Sequence, residues 1–218
     1  MKNILIIPLI LISVQGFCQD TQPKDRRNEH QLGINATYFF KQFLNFGNSG
    51  NLEISPYIVS YKVFDRHHHG FRFGAGFNST TITQNPDSIS AVKSTNASYN
   101  FRGGYEYQNA LSEKWLCFFG VDGVFNYSTR KTTTNNGFDN VTSNELTYTY
   151  GGGPIFGIQF NISKHVTLFT ETGVYATTGE ISDKSTFENN PVFNDETKTN
   201  LSSISFVLPT SLFLNIRF

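Results

Sequence analysis

The chain has 218 residues, with 17 Lys and Arg against 17 Asp and Glu, so its formal net charge is zero. This near-neutral charge argues against nucleic acid as a partner. Aromatic residues make up 15% of the chain and glycine occurs 18 times, whereas Met and Trp occur once each. The composition favours strands and turns over helices, and the length suits one domain.

The N-terminus has the pattern of a secretory signal. Lys2 precedes an apolar run over residues 4–14, and a short region then leads to Cys18 and Gln19. The run is too short to span a bilayer stably. We therefore predict a cleaved signal peptide over residues 1–18, cut between Cys18 and Gln19, with a retained anchor helix as the alternative.

The cysteines predict neither a lipid anchor nor a disulfide. Phe17 stands where lipoprotein signals carry a small residue, which disfavours acylation of Cys18. Once the signal is removed, Cys117 is the only cysteine left, so no disulfide framework can form. Residues 19–30 are polar and charged and predict a flexible lead, followed by a single domain over residues 31–218.

Alternating apolar and polar side chains predict eight β-strands in that domain. In the fourth strand, for example, Tyr99, Phe101 and Tyr105 lie on the face opposite Asn100 and Arg102. The strands cover approximately residues 32–40, 52–63, 71–78, 97–107, 115–127, 146–160, 166–176 and 201–218. No helical periodicity follows the signal, so the prediction is an all-β domain of antiparallel strands.

The connections between these strands alternate in length. The long ones are predicted at residues 43–50, 81–94, 130–144 and 179–200, and the short turns lie near Asp65, Asn109 and Asn161. Long outer loops and short periplasmic turns are the pattern of bacterial membrane barrels. A sheet can cross hydrocarbon only when it closes on itself, because every backbone donor and acceptor must be paired.

The polar face of the strands combines glycines with charged residues. The glycines are Gly74, Gly76, Gly104, Gly120, Gly151, Gly153, Gly157 and Gly173. The charged residues are Arg72, Arg102, Glu106, Asp122, Glu171 and Arg217. A narrow eight-stranded interior needs small residues beside long ones, so we predict a lumen filled by structural ion pairs. A proton or solute path lined by the same residues is the alternative.

Two further features of the strands bear on the predicted barrel: prolines interrupt it, and the last strand can close it. Pro56, Pro154 and Pro209 fall within proposed strands and cannot donate to a ladder, so they predict bulges or strand rims. The last strand keeps a long apolar face and ends on Phe218, so we expect it to pair with the first strand and close the barrel.

The eight strands, the signal before Gln19 and the terminal sequence from Leu212 to Phe218 resemble small outer-membrane β-barrel proteins of Gram-negative bacteria. The resemblance is greatest to the barrel-domain family common in Bacteroidetes. It implies periplasmic termini, a monomer surrounded by outer-membrane lipid and lipopolysaccharide, and recognition by the barrel-assembly machinery. The residues that would carry this assembly signal are Leu212, Leu214, Ile216 and Phe218. The family is functionally diverse, so membership gives no activity.

No catalytic residue, metal site or cofactor is predicted. His67, His68 and His69 with Asp65 suggest a solvated turn more than a metal site, because three consecutive residues cannot converge on one ion. Lipid A palmitoyltransferases and deacylases use His with Ser and an acid, for which Ser163, His165 and Glu171 are the nearest approach. With periplasmic termini, however, every histidine lies on the wrong side for outer-leaflet lipid A.

Two predicted outer loops carry weaker patterns. Asp183, Glu188, Asp195 and Glu196 could supply oxygens to Ca²⁺, but their spacing matches no metal loop and favours a solvated surface. The tripeptide at residues 87–89 resembles the short O-glycosylation motif of Bacteroidetes.

The sequence therefore predicts a non-enzymatic outer-membrane barrel with a structural or surface-recognition role in its outer loops. An outer-leaflet lipid-modifying enzyme, a narrow porin-like pore for small solutes and a soluble periplasmic lipid-binding barrel are the alternatives.

Overall fold

The computed structural model describes residues 29–37, 39, 55–84, 91–135 and 140–218. The predicted signal peptide, its cleavage site at Cys18 and Gln19, and the tripeptide at residues 87–89 lie outside the described residues. So does most of the predicted lead over residues 19–30, although Glu29 and His30 at its end already belong to the first strand.

The described part of the chain contains nine antiparallel β-strands. Their bounds are β1 Glu29–Asn35, β2 Val59–Phe64, β3 His69–Gln84, β4 Val92–Ala110, β5 Trp115–Asn135, β6 Asn140–Asn161, β7 Val166–Phe187, β8 Asp195–Val207 and β9 Phe213–Arg217. Each strand pairs with its neighbour in sequence, except that β8 and β9 both pair with β7, and β9 also pairs with β1. The sheet thus closes as a ring of eight, which confirms the predicted antiparallel up-and-down barrel.

The outer surface of this barrel is apolar across its middle. Large apolar side chains such as Phe73, Phe101 and Val121 point outward and are about half exposed. Near the short turns, the His69 ring packs against Tyr105 and Tyr107. An apolar band with aromatic side chains at its margin is the outer surface of a transmembrane β-barrel. Within the described residues, no helix is long and apolar enough to cross a bilayer.

The backbone between the first and last strands is joined by hydrogen bonds along the seam. The His30 N–H donates to the Phe218 carbonyl at 3.1 Å, and the Phe218 N–H donates to the His30 carbonyl at 2.9 Å. The ladder continues to Ala36, whose N–H donates to the Leu212 carbonyl. The final residue is therefore part of the closed sheet, and its ring stacks on His30.

Several strands extend further than the sequence predicted. Beyond the predicted end at residue 78, β3 continues for six residues to Gln84, or about 20 Å along the strand at roughly 3.4 Å per residue. The described parts of the predicted long connections at residues 81–94, 130–144 and 179–200 are therefore mostly strand. Hydroxyl pairs support the extensions, including Thr81 with Thr95 at 3.3 Å, because cross-strand Thr pairs stabilise a sheet.

The predicted last strand, residues 201–218, is broken at Pro209. The β7 ladder pairs Gly173 with Val207 and resumes where Phe169 pairs with Phe213. Three β7 residues, 170–172, therefore lie opposite five residues, 208–212, which makes a bulge with two extra residues. Because two is even, side chains beyond the bulge keep their inward and outward alternation.

Hydroxyl groups on β7 compensate for part of the broken ladder. Proline has no N–H to donate, and the bulge leaves nearby carbonyls without ladder partners. The Thr170 hydroxyl donates to the Pro209 carbonyl at 3.2 Å, and the Thr172 hydroxyl donates to the Val207 carbonyl at 2.6 Å.

The first two strands are shorter than predicted. β1 ends at Asn35 rather than at residue 40, because the Asn35 side-chain carbonyl accepts from the N–H and hydroxyl of Thr37 and turns the chain. β2 begins at Val59, after Pro56. Pro154 stays inside β6, where it pairs with Val121 of β5.

Lumen-side glycines lie where neighbouring backbones approach closely. A Cβ atom added to Gly120 would collide with the backbone of Tyr105 and Glu106, because the sheet curves tightly on its inner side. By contrast, a Cβ atom on the outward Gly103 would meet only the Phe73 ring, at 3.7 Å.

We expect Gly120→Val to lower the free energy of unfolding by about 1–3 kcal/mol or more, as overpacking does. Gly103→Val should change it far less, because the added methyl groups face outward. Urea unfolding of the refolded barrel in micelles, followed by gel mobility without boiling, measures both variants. Equal stability of the two would contradict the close approach at Gly120.

Candidate functional site

Six charged side chains meet in the lumen. They are Lys62 of β2, Arg72 of β3, Arg102 and Glu106 of β4, Asp122 of β5 and Glu171 of β7. Their strands place them on the inward face, and no side chain in this charge network is more than 8% exposed. Three cations face three anions, so the buried charges balance.

Glu106 and Arg72 form the half of the charge network nearer the short turns. One oxygen of Glu106 accepts from Lys62 Nζ at 3.0 Å, and the other accepts from Arg72 Nη1 at 3.1 Å. Arg72 also donates through Nη2 to Glu171, and its Nε lies 3.3 Å from Asp122 Oδ1. Arg72 therefore joins all three carboxylates.

Arg102 completes the other half of the charge network. Its Nη1 donates to Glu171 Oε1 and lies 3.8 Å from Asp122 Oδ2. The carboxylate of Glu171 is thus shared by two arginines, one on each oxygen. Tyr175 donates its hydroxyl to Asp122 at 3.4 Å.

Aromatic rings surround the cations of this network. Lys62 Nζ lies 4.3 Å from the centre of the Phe118 ring and 4.1 Å from that of Phe169. The Arg102 guanidinium lies 4.4 Å from the centre of the Tyr57 ring. Cations over aromatic faces are stabilised more strongly when water is absent, so the rings support charges that burial would otherwise disfavour.

The structure brings together five of the six residues predicted for the lumen. Arg217 lies apart, near the short turns, where its Nε is 2.5 Å from Glu29 and its Nη2 donates to Asn161. Gln31 donates to Glu29 at 2.7 Å in the same layer. This second polar layer fills the end of the barrel where the termini meet.

Lys62 and three buried phenylalanines were missed from the sequence. Lys62 alternates with Tyr61 and Val63, but the strand around it has no clean period, so its face could not be assigned. Phe118, Phe169 and Phe213 are apolar residues on the polar face and are fully buried. Period-two reasoning assigns faces by polarity and does not anticipate apolar packing inside a polar lumen.

The histidine turn uses its acid for backbone hydrogen bonds. Asp65 Oδ1 accepts from the N–H groups of His67 at 2.8 Å and His69 at 2.9 Å. Desolvation raises the pKa of Asp65. The two N–H donors and the neighbouring imidazoles together lower this pKa by more, so it lies below its usual value. No cluster of three or more potential metal ligands occurs among the described residues.

The Ser163, His165 and Glu171 set is not assembled as a catalytic triad. Ser163 Oγ accepts from the backbone N–H groups of His165 and Val166. The His165 ring lies beside the Arg217 carbonyl, at 3.3 Å, while Glu171 binds the two arginines. A triad needs the base to contact both nucleophile and acid.

The acidic residues considered for Ca²⁺ lie mainly on paired strands and not together in a loop. Asp183 belongs to β7, and Asp195 and Glu196 begin β8, where Glu196 pairs with Lys184. Glu188 accepts from the Asn140 side-chain amide at 2.7 Å. The predicted loop over residues 179–200 is thus largely a two-stranded ribbon.

The terminal apolar residues follow the predicted alternation. Ile216 and Phe218 are exposed on the outer face, and Leu212 and Leu214 are partly exposed beside them. Between them, Phe213 and Asn215 are fully buried.

Comparison with known proteins gave one structural neighbour. No family model matches the chain, and no curated protein matches it. The crystal structure of Acinetobacter baumannii CarO is similar over 90% of this chain and 98% of that chain, with 9% identity and a TM-score of 0.35. A superposition this loose supports no statement about function, and the resemblance to the Bacteroidetes barrel family stays a prediction.

The shared carboxylate of Glu171 gives a test of the charge network. Glu171→Ala removes the carboxylate that accepts from both Arg72 and Arg102, and we expect a loss of about 3–5 kcal/mol in unfolding free energy. The matched control is Glu145→Ala, because Glu145 pairs with Arg130 at 3.8 Å on the surface and should cost at most about 1 kcal/mol. Urea unfolding in micelles compares them, and equal losses would argue against a buried network.

Proposed function

We propose that the chain is an outer-membrane protein of a Gram-negative bacterium with a structural or surface-recognition role, and that it is not an enzyme. The observation that carries this proposal is the combination of an apolar outer surface with an interior filled by paired charges. The apolar outer surface suits a bilayer, and the paired charges fill the lumen at the level of the network.

Several features support placement in the outer membrane with both termini in the periplasm. A closed barrel satisfies its backbone in hydrocarbon, and the predicted signal peptide supplies export. The first and last strands meet at the same end as the short turns, which in bacterial barrels is the periplasmic end. Outer-membrane lipid and lipopolysaccharide then surround the apolar belt, which is the band of outward apolar side chains around the middle of the barrel. The chain is proposed to act as a monomer.

The opposite end supports the recognition role. There, β3 to β8 extend beyond the apolar belt, and their outer residues are mainly Thr, Ser, Asn and charged side chains. The β5–β6 ladder runs to the end of these extensions, and cross-strand hydroxyl pairs such as Thr133 with Thr142 add to it. A polar sheet raised above a membrane can present binding groups to the medium, whereas a barrel that only anchors has no need of it.

The alternatives fit the described residues less well. A narrow pore needs an open polar path, but the charge network and the Arg217 layer both fill the lumen. A lipid-modifying enzyme needs an assembled nucleophile and base, and Ser163 and His165 are engaged by backbone groups. A soluble barrel would not expose aromatic side chains such as Phe71 and Phe73 around its middle.

Heat modifiability with protease treatment of intact cells tests the placement. We expect the outer-membrane fraction to contain a form that migrates differently when boiled. Protease should cut only the connections at the end of the barrel opposite the short turns. A protein that stays in the soluble fraction, or runs identically boiled and unboiled, would refute the proposal.

Two further readouts separate the proposed role from its alternatives. Planar bilayers containing the purified barrel should show no steady conductance, and deletion of the gene should leave lipid A mass unchanged. Conductance would favour the pore, and an altered acyl number would favour the enzyme.

The assembly signal has its own test, since Leu212, Leu214, Ile216 and Phe218 are proposed to contact the barrel-assembly machinery. Phe218→Ser should reduce the heat-modifiable form without altering synthesis, because it removes the terminal ring. Phe193→Ser is the matched control, since Phe193 is also exposed but lies in the turn between β7 and β8. Unchanged assembly of Phe218→Ser would contradict the proposed role of Phe218 in the assembly signal.

A further inference from the structure

A cavity of about 350 Å³ lies inside the barrel, on the side of the charge network away from the short turns. Arg102, Glu171 and Tyr175 line it beside the network, and Ser203 and Ser205 of β8 line another wall. The proposed structural role makes no use of this cavity. Its volume lies within the roughly 300–1,000 Å³ of small-molecule sites.

Arg102 has hydrogen-bonding capacity that the protein leaves unfilled. Its Nη1 binds Glu171, but its Nε and Nη2 are buried without a hydrogen-bond partner among the described residues. A buried donor without a partner costs free energy. Nε and Nη2 form one edge of the planar guanidinium, and two parallel N–H groups match the two oxygens of a carboxylate.

The charge balance around Arg102 favours a ligand with one negative charge over a ligand with two. Both Glu171 oxygens are already taken by Arg72 and Arg102, and the network as a whole is neutral. A doubly charged phosphate would bring two uncompensated charges into a poorly solvated site, which is strongly unfavourable. A monocarboxylate brings one, and its two oxygens fit the Arg102 edge.

The rest of the cavity suits an apolar chain and reaches the bilayer side of the barrel. Val124, Val207 and Leu208 line it. Thr172 lies on the outward face of β7 and Leu208 is exposed in the bulge after β8. Both nevertheless line the cavity, where the ladder between β7 and the last strand is interrupted. The cavity therefore extends from the Arg102 side chain to the bulge in the outer wall of the barrel.

We propose that this cavity binds a monocarboxylate amphiphile of the medium-chain fatty acid type. The carboxylate lies on the Nε and Nη2 edge of Arg102, and the chain lies along Val124, Val207 and Leu208. The Pro209 bulge is the place where the ligand exchanges with the membrane. The barrel thereby gains a lipid-derived ligand in addition to its structural role.

Titration of carboxyl-¹³C decanoate into the mature barrel in phosphatidylcholine nanodiscs tests the proposal, at about pH 8.5, above the ordinary carboxyl pKa. Saturable binding beyond that of empty nanodiscs is expected. Arg102→Lys keeps the positive charge but loses the two-donor edge, so affinity should fall about tenfold or more. The matched control is Arg217→Lys, because Arg217 is buried in the separate polar layer near the termini and does not line the cavity. The affinity of this variant should stay close to that of the unmodified chain.

A second pair of variants keeps the test independent of the charge network. Ser203→Phe fills the cavity and should abolish binding, whereas Ser202→Phe, on the opposite face of β8, should not. Heat modifiability checks the fold of each variant, and this pair decides the matter if Arg102→Lys does not assemble. Absence of saturable binding, equal affinity for ¹³C-labelled decanol, or equal losses in Ser202→Phe and Ser203→Phe would overturn the proposal.

Discussion

Burial of three cations and three anions in one closed ring is the constraint on which the rest of this barrel depends. An unpaired buried charge costs several kcal/mol, so each of these side chains requires its partners from other strands. Arg72 contacts carboxylates from β4, β5 and β7. The network therefore forms only when the strands take their native order and register, and it ties distant parts of the sheet to one centre.

The small circumference of the ring determines which other residues can share the lumen. Long charged side chains need space at their own level, so glycines occupy neighbouring inward positions, as Gly74 does directly opposite Arg102. Phe118, Phe169 and Phe213 fill the remaining volume and give Lys62 and Arg102 aromatic faces to lie against. The polar interior is thus packed partly by apolar groups, which keeps water out and strengthens the ion pairs.

Period-two alternation was enough to predict the strand order, the closure and five of the six residues in the charge network, because each strand has one face in hydrocarbon. It failed where that contrast disappears. Beyond the apolar belt both faces of β3 to β8 are polar, so strand extensions were read as loops. Lys62 lies on a strand of mixed pattern, and the identity of its partners depends on a register that only the folded backbone defines. The break at Pro209 could be predicted from the missing N–H, but not its two-residue length.

One unsatisfied polar group in the lumen, the guanidinium of Arg102, belongs to a side chain that lines a cavity, and this combination indicates where a ligand belongs. Near the termini, Arg217, Glu29, Gln31 and Asn161 bind one another. On the other side of the charge network, the bulge at Pro209 widens the wall and Arg102 keeps an unfilled edge. A barrel that needed only to be anchored would gain from filling that space and satisfying that edge. Their persistence next to a break in the ladder is the physical reason to look for a bound amphiphile there.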